Sequence, residues 1–128
     1  VIGCDQILDF NSKILSKAKD QDELIHQLKQ LRGNKHKLYS ACVVYNAQKP
    51  EWRFIGSASM TMRNLSDRYI LKYVKDNWDD IKHSVGGYQI ENSGISLFSK
   101  IDGDYFSVLG LPIIQLVGHL LNRGVIEQ

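Results

Sequence analysis

Cysteine is scarce in this sequence, and what little there is excludes two kinds of site. Only Cys4 and Cys42 occur in 128 residues, without the spacing of a zinc site or a redox pair. Each lies in a stretch that reads as strand, so two reduced core thiols in a cytoplasmic protein are expected. No run approaches the ~18 apolar residues a membrane helix needs, and no basic-then-apolar leader opens the sequence, so no membrane partner is expected. Charge of one sign is also lacking. Sixteen Lys and Arg against fourteen Asp and Glu leave a net charge of +2, and the bases are scattered among the acids rather than gathered into a stripe. Nucleic-acid binding is thereby disfavoured. No G-x-x-x-x-G-K-[ST] phosphate loop is present. Internal repeats, low-complexity segments and linkers are missing too, which leaves one domain over residues 1–128.

The residues that remain are those of an ordinary globular domain. With 43% hydrophobic residues, a chain this long can bury roughly two-thirds of its extended surface. Asp20 stands three residues before Glu23, a capping-box spacing, and Leu24, Ile25, Leu28 and Leu31 follow at helical period until Arg32-Gly33. Leu38–Tyr45 is β-branched and aromatic and should pair antiparallel with Trp52–Met62 across a turn at 46–50. Ser57, Ser59 and Thr61 fall on one face of that second strand, and Ala58, Met60 and Met62 on the other. Ser66 caps a second helix that is expected to end near Asp76-Asn77, with Trp78–His83 as a surface connection. Ile95–Phe98 resumes a strand, and Asp102-Gly103 turns the chain before Tyr105–Leu109. Pro112 opens a last helix with Ile113, Ile114, Leu116, Val117, Leu120 and Leu121 inward, stopped by Arg123-Gly124. Helices alternate with strands around an antiparallel pair, so the expected fold is α/β with a mixed central sheet flanked by helices.

Two stretches carry chemistry. In Val1-Ile2-Gly3-Cys4-Asp5-Gln6 an apolar run ends in a carboxylate, which reads as a buried strand delivering Asp5 to its carboxyl end, where α/β sheets hold ligands. The plainer reading of such an aspartate is a turn former or helix cap. Ser84–Gly94 carries three glycines around Tyr88 and Glu91, either backbone that must approach something closely or a simple turn. His26 and His119 lack companions at ligand or catalytic spacing and read as helix residues. Asp5, Glu91 and the nearby cation Lys17 suit metal-assisted phosphate chemistry: carboxylates hold a divalent ion or orient water, and a lysine neutralises phosphate charge.

At these residues the chain resembles the Maf (septum formation) nucleotide pyrophosphatases. The resemblance rests on ordered blocks: Val1–Gln6; Leu31-Arg32-Gly33 before Tyr39-Ser40; Met62–Asp67 with Tyr73-Val74; Val85–Glu91; and Ile101–Tyr105 with Val108–Pro112. It implies a Maf and ITPase-like fold and a metal-dependent enzyme that cleaves a nucleoside triphosphate between its α and β phosphates, with Mg or Mn as cofactor. Carried over by position, Asp5 matches the family's catalytic acid, which activates water or holds the metal. Lys17 matches the lysine of a Gly-Lys-Pro motif that contacts phosphate, and Glu91 falls where relatives carry Gln or Glu near metal and phosphates. Ser40 and Gln6 are expected to border the pocket. The Asp5-Gln6 pair together with Glu91 resembles the branch associated with 7-methylguanosine triphosphate.

Departures from the family pattern bear on activity. Gly-Lys-Pro stands as Ser16-Lys17-Ala18, and Gln89 and Asn92 replace common glycines. The family's opening Ser-x-Ser with paired basic residues has no match, so the resemblance implies a domain lacking its N-terminal strand and helix. A sheet edge left open in this way predicts association into a homodimer. The alternative function is a catalytically weak or inactive nucleotide-binding module that regulates cell division.

Overall fold

A computed structural model describes residues 1–127. Strand β1 (Ile2–Phe10) turns into the short β2 (Lys13–Leu15), followed by α1 (Gln21–Leu31), β3 (Lys35–Asn46), β4 (Lys49–Met62) and α2 (Asp67–Ile81). Two 3-10 turns, Val85–Gly87 and Ser93–Leu97, lead to β5 (Phe98–Gly103), α3 (Tyr105–Leu109) and α4 (Ile113–Asn122). The sheet order is β2-β1-β3-β4-β5. The α/β class holds, but every described pairing is antiparallel where a mixed sheet was expected. Two of the four pairings, β1–β2 and β3–β4, are hairpins: Asn11-Ser12 and Ala47-Gln48 all have positive φ, the two-residue turn whose twist matches antiparallel strands. The β1–β3 and β4–β5 pairs are joined by longer connections that contain α1 and α2.

Alternation along the strands decides which face is buried. Leu8, Leu38, Ala58, Met60 and Met62 lie under the helices with Leu24, Leu28 and Leu31 of α1 and Ile70, Tyr73, Val74 and Ile81 of α2. This is the Ala58-Met60-Met62 face expected from period two. Both helix starts are capped as read: Asp20 accepts from the Glu23 amide at 2.8 Å and Ser66 from the Tyr69 amide at 3.1 Å. The opposite sheet face is open. Ile7, Ile14 and Ile55 are all exposed there, and no helix among the described residues is long and apolar enough to cross a membrane.

Several boundaries differ from expectation, each for a local reason. β1 does not stop at Asp5, because Leu8 and Asp9 continue the ladder opposite Leu38 and Lys37; the segment expected as loop after Asp9 supplies β2. α2 runs past Asn77 to Ile81, since Trp78 packs on the core and Ile81 is 3% exposed, extending the buried stripe by one turn. Residues 95–97 form a 3-10 turn, and the strand begins at Phe98. Helix α4 buries only Leu116 fully and leaves Ile113, Ile114 and Val117 exposed, because its contact is confined to Cys42, Val44, Trp52 and neighbours at one end of the sheet.

Candidate active site

A cavity of about 360 Å³ opens beside β1, lined by Cys4, Asp5 and Gln6 of that strand, Lys17 after β2, His83–Val85 and Tyr88–Glu91 after α2, and Val108–Gly110. Four residues singled out in the sequence, Asp5, Gln6, Lys17 and Glu91, therefore meet around one space. Ser40 does not line it. Opposite Gln6 in the ladder and fully buried, Ser40 accepts a hydrogen bond from Gln6 Nε2 at 3.2 Å, and the same amide donates to the Val108 carbonyl at 2.8 Å. Gln6 thus ties β1, β3 and α3 together at the cavity wall.

Asp5 is exposed in the middle of β1. Its position contradicts the expectation of a buried strand ending in a carboxylate. Its Oδ1 accepts from the Gln6 amide at 2.9 Å. Side chains alternate here: Gln6 and Leu8 face the helices, whereas Asp5, Ile7 and Asp9 also line a second, mainly apolar cavity of about 480 Å³ on the open face, with Tyr39, Ala41 and Ile55. Asp5 borders both spaces. β2 pairs with β1 only over Leu8–Phe10, which leaves the outer edge of β1 beside Asp5 without a strand partner among the described residues.

Lys17 is placed from α1. Gln27, 7% exposed, donates through Nε2 to the Ser16 carbonyl at 3.0 Å, and Ala18 packs on the core. The segment that lost the Gly and Pro of the family motif is held by these contacts instead. Glu91 stands at an exposed loop tip braced from behind. Gln89 Nε2 donates to the Asp80 carbonyl at 3.0 Å, Asn92 Nδ2 donates to Gln89 Oε1 at 2.7 Å, and the Gly94 amide donates to the Gln89 carbonyl at 3.1 Å. Gln89 and Asn92 therefore fix the loop that carries Glu91.

The glycines of this loop serve packing. Gly86 and Gly87 have φ near +70°, and a Cβ on Gly87 would stand 2.4 Å from Leu24 Cδ1. Tyr73 hydroxyl donates to the Gly87 carbonyl at 2.8 Å. Tyr88 is bonded through its hydroxyl to His36 Nε2 at 2.8 Å. Burial raises the Tyr73 and Tyr88 phenols well above the usual range and lowers His36 to about 4, so all three are neutral around pH 7. The close backbone approach expected here is to the core.

His83, read as the end of a surface connection, lines the cavity, as do Ser84 of the glycine stretch and Val108–Gly110 of a family block, to which no site role was given. His83 follows the end of α2 directly before the glycine loop, and that adjacency was the available signal. Cys4, expected in the core, is exposed, whereas Cys42 is buried. Among the described residues no three His, Cys, Asp or Glu side chains are gathered to hold a metal. Two carboxylates at the cavity suit Mg²⁺, which binds through one or two carboxylates and takes further oxygens from substrate phosphates and water.

Comparison with known proteins gives the chain's relatives. The chain is 49% identical over 128 residues to a nucleoside triphosphate pyrophosphatase of Ruegeria sp. (strain TM1040), covering all of this chain and 64% of the relative. It is 42% identical over 127 residues to a 7-methyl-GTP pyrophosphatase of Brucella abortus, covering 99% of this chain and 64% of the relative. The chain thus spans just under two thirds of the length of these curated relatives. The family model described as Maf-like protein matches residues 1–123, and the chain belongs to that family.

Proposed function

We propose that the chain forms the hydrolytic part of a nucleoside triphosphate pyrophosphatase, releasing a nucleoside monophosphate and pyrophosphate. The observation that carries this reading is the convergence of Asp5 on β1, Lys17 just after β2 and the sequence-distant Glu91 on one polar cavity. Asp5 takes the proton of a water molecule as its oxygen attacks one phosphorus of the α–β bridge in line. The bridging P–O bond breaks, and nucleoside monophosphate and pyrophosphate separate. Lys17 offsets charge on the phosphate chain, Gln6 keeps β1 in register with the Val108 segment, and Glu91 faces the phosphates from the opposite loop. Asp5 and Glu91 are the residues to hold Mg²⁺ or Mn²⁺, which would neutralise phosphate charge and acidify bound water. The Asp5-Gln6 pair with Glu91 favours 7-methylguanosine triphosphate, a choice supported by the name of the Brucella relative.

One observation favours a second reading, a nucleotide-binding regulatory module with weak or no turnover. Lys17 is the one Lys or Arg among the described residues lining the cavity, and it faces two carboxylates. Incubation with a panel of standard and 7-methylated nucleoside triphosphates, with and without Mg²⁺, separates the two. Equal yields of monophosphate and pyrophosphate support hydrolysis at the α–β bond. Diphosphate and phosphate as products contradict it. Saturable binding without products establishes the module.

A further inference from the structure

Cys4 and Cys42 are 38 residues apart in sequence and directly opposed on neighbouring strands in the β1–β3 ladder. Both are free, and their Sγ atoms lie 3.6 Å apart. Directly opposed residues of antiparallel strands have Cα atoms about 4.5 or 5.5 Å apart, inside the roughly 4.4–6.8 Å that a disulfide spans. A disulfide bond of about 2.05 Å would require the sulfurs to close by about 1.5 Å, a movement that side-chain rotation can supply. The two thiols differ in access. Cys4 is exposed and lines the cavity beside Asp5, whereas Cys42 has no exposed surface and packs against Val44 and Leu116.

We propose that Cys4 and Cys42 form a thiol–disulfide modification site, in which a small-molecule disulfide enters at Cys4 and the resulting bridge clamps β1 to β3 at the cavity wall. The chemistry balances with glutathione disulfide as oxidant. Cys4 thiolate attacks one sulfur of glutathione disulfide, its S–S bond breaks, and one glutathione thiolate leaves. Cys42 thiolate then attacks Cys4 Sγ and expels the second glutathione. Two electrons pass from the cysteine pair to two glutathione molecules, and the two cysteine protons pass to solvent or to the leaving thiolates. Cys4 is exposed and Cys42 is buried behind it, so the oxidant reaches Cys4 first and Cys42 resolves. The bridge fixes the strand segment that carries Asp5 and Gln6, without depending on any particular nucleotide chemistry.

The test incubates the native chain with glutathione disulfide and follows intact mass together with thiol titration in denaturant. The expected result is joint loss of both thiols, no retained glutathione and full reversal by dithiothreitol. Cys42→Ala should stop at a stable glutathione adduct on Cys4, and Cys4→Ser should neither cross-link nor take up glutathione while folded. Retention of glutathione on wild-type Cys4, persistence of both thiols, or modification of Cys42 in folded Cys4→Ser would overturn the proposal. If Cys42→Ala fails to fold, the wild-type and Cys4→Ser arms decide it alone.

Discussion

His36 makes stability depend on pH in a way that can be worked out from its surroundings. The side chain lies on β3 at 2% exposure, with Tyr88 hydroxyl at 2.8 Å from Nε2, the Phe98 ring centroid 5.9 Å away, and no protein partner for Nδ1. Burial disfavours the imidazolium and lowers the group from 6.5 to about 4. The unfolded chain therefore takes up a proton at a higher pH than the folded one. The contribution of neutral His36 is fully present above about pH 6.5 and is lost as pH falls through about 4. At about 1.4 kcal/mol per pH unit, the gap amounts to about 3 kcal/mol overall, of which about 2 kcal/mol is lost by pH 5. Against a typical 5–15 kcal/mol of total stability that is a large fraction. Urea unfolding at about pH 7.5 and about pH 5 should show this loss in the wild type, before most carboxylates titrate. His36→Phe should start about 1–3 kcal/mol less stable, because Tyr88 hydroxyl is left unpaired. It should nevertheless lose about 2 kcal/mol less than wild type between the two pH values. An equal fall in both proteins would refute the assignment to His36.

Other contacts give sharper local tests. Gly87→Ala forces a Cβ against Leu24 and a left-handed φ on alanine, so it should lower stability by about 2–5 kcal/mol, read by denaturant unfolding. Unchanged stability would show that the loop relaxes freely. Gln27→Ala removes the donor to the Ser16 carbonyl and should raise KM for the nucleotide several-fold with little change in kcat, since it loosens Lys17 without touching the reacting atoms. A fall in kcat at constant KM would contradict that role. The part of the outer β1 edge before Leu8, which has no strand partner among the described residues, and the exposed Ile7, Ile14 and Ile55 on the open sheet face predict self-association. Sedimentation that stays monomeric across a wide concentration range would refute it.

Local chemistry made the helix starts legible. Asp20 and Ser66 announce their caps within three residues, and the Ala58-Met60-Met62 face follows from alternation alone. That Asp5, Lys17 and Glu91 border one cavity was legible in part: Asp5 and Glu91 lie in ordered family blocks, whereas Lys17 keeps only the lysine of a motif whose flanking residues differ. Long-range register was not legible. Nothing near Cys4 announces Cys42 across the ladder, and the alternation of Ile7, Leu8 and Phe10 is too short to show that β1 continues past Asp5. Helix α4 misled for another reason. Ile113, Ile114, Leu116 and Val117 are apolar on several faces, so periodicity does not select the one that Cys42 and Val44 cover. The glycines at 86 and 87 signalled close approach correctly but not toward what. Leu24 on α1 supplies that answer only once the chain is folded.

The most direct measurement is pyrophosphate release by Asp5→Asn. Asp5 is exposed on β1, and an asparagine oxygen can still accept the Gln6 amide, so the variant should unfold at the wild-type denaturant midpoint. With the carboxylate gone, turnover of the best nucleoside triphosphate should fall by about 10²-fold or more while the nucleotide still binds. A folded Asp5→Asn protein that releases pyrophosphate at the wild-type rate would contradict the account.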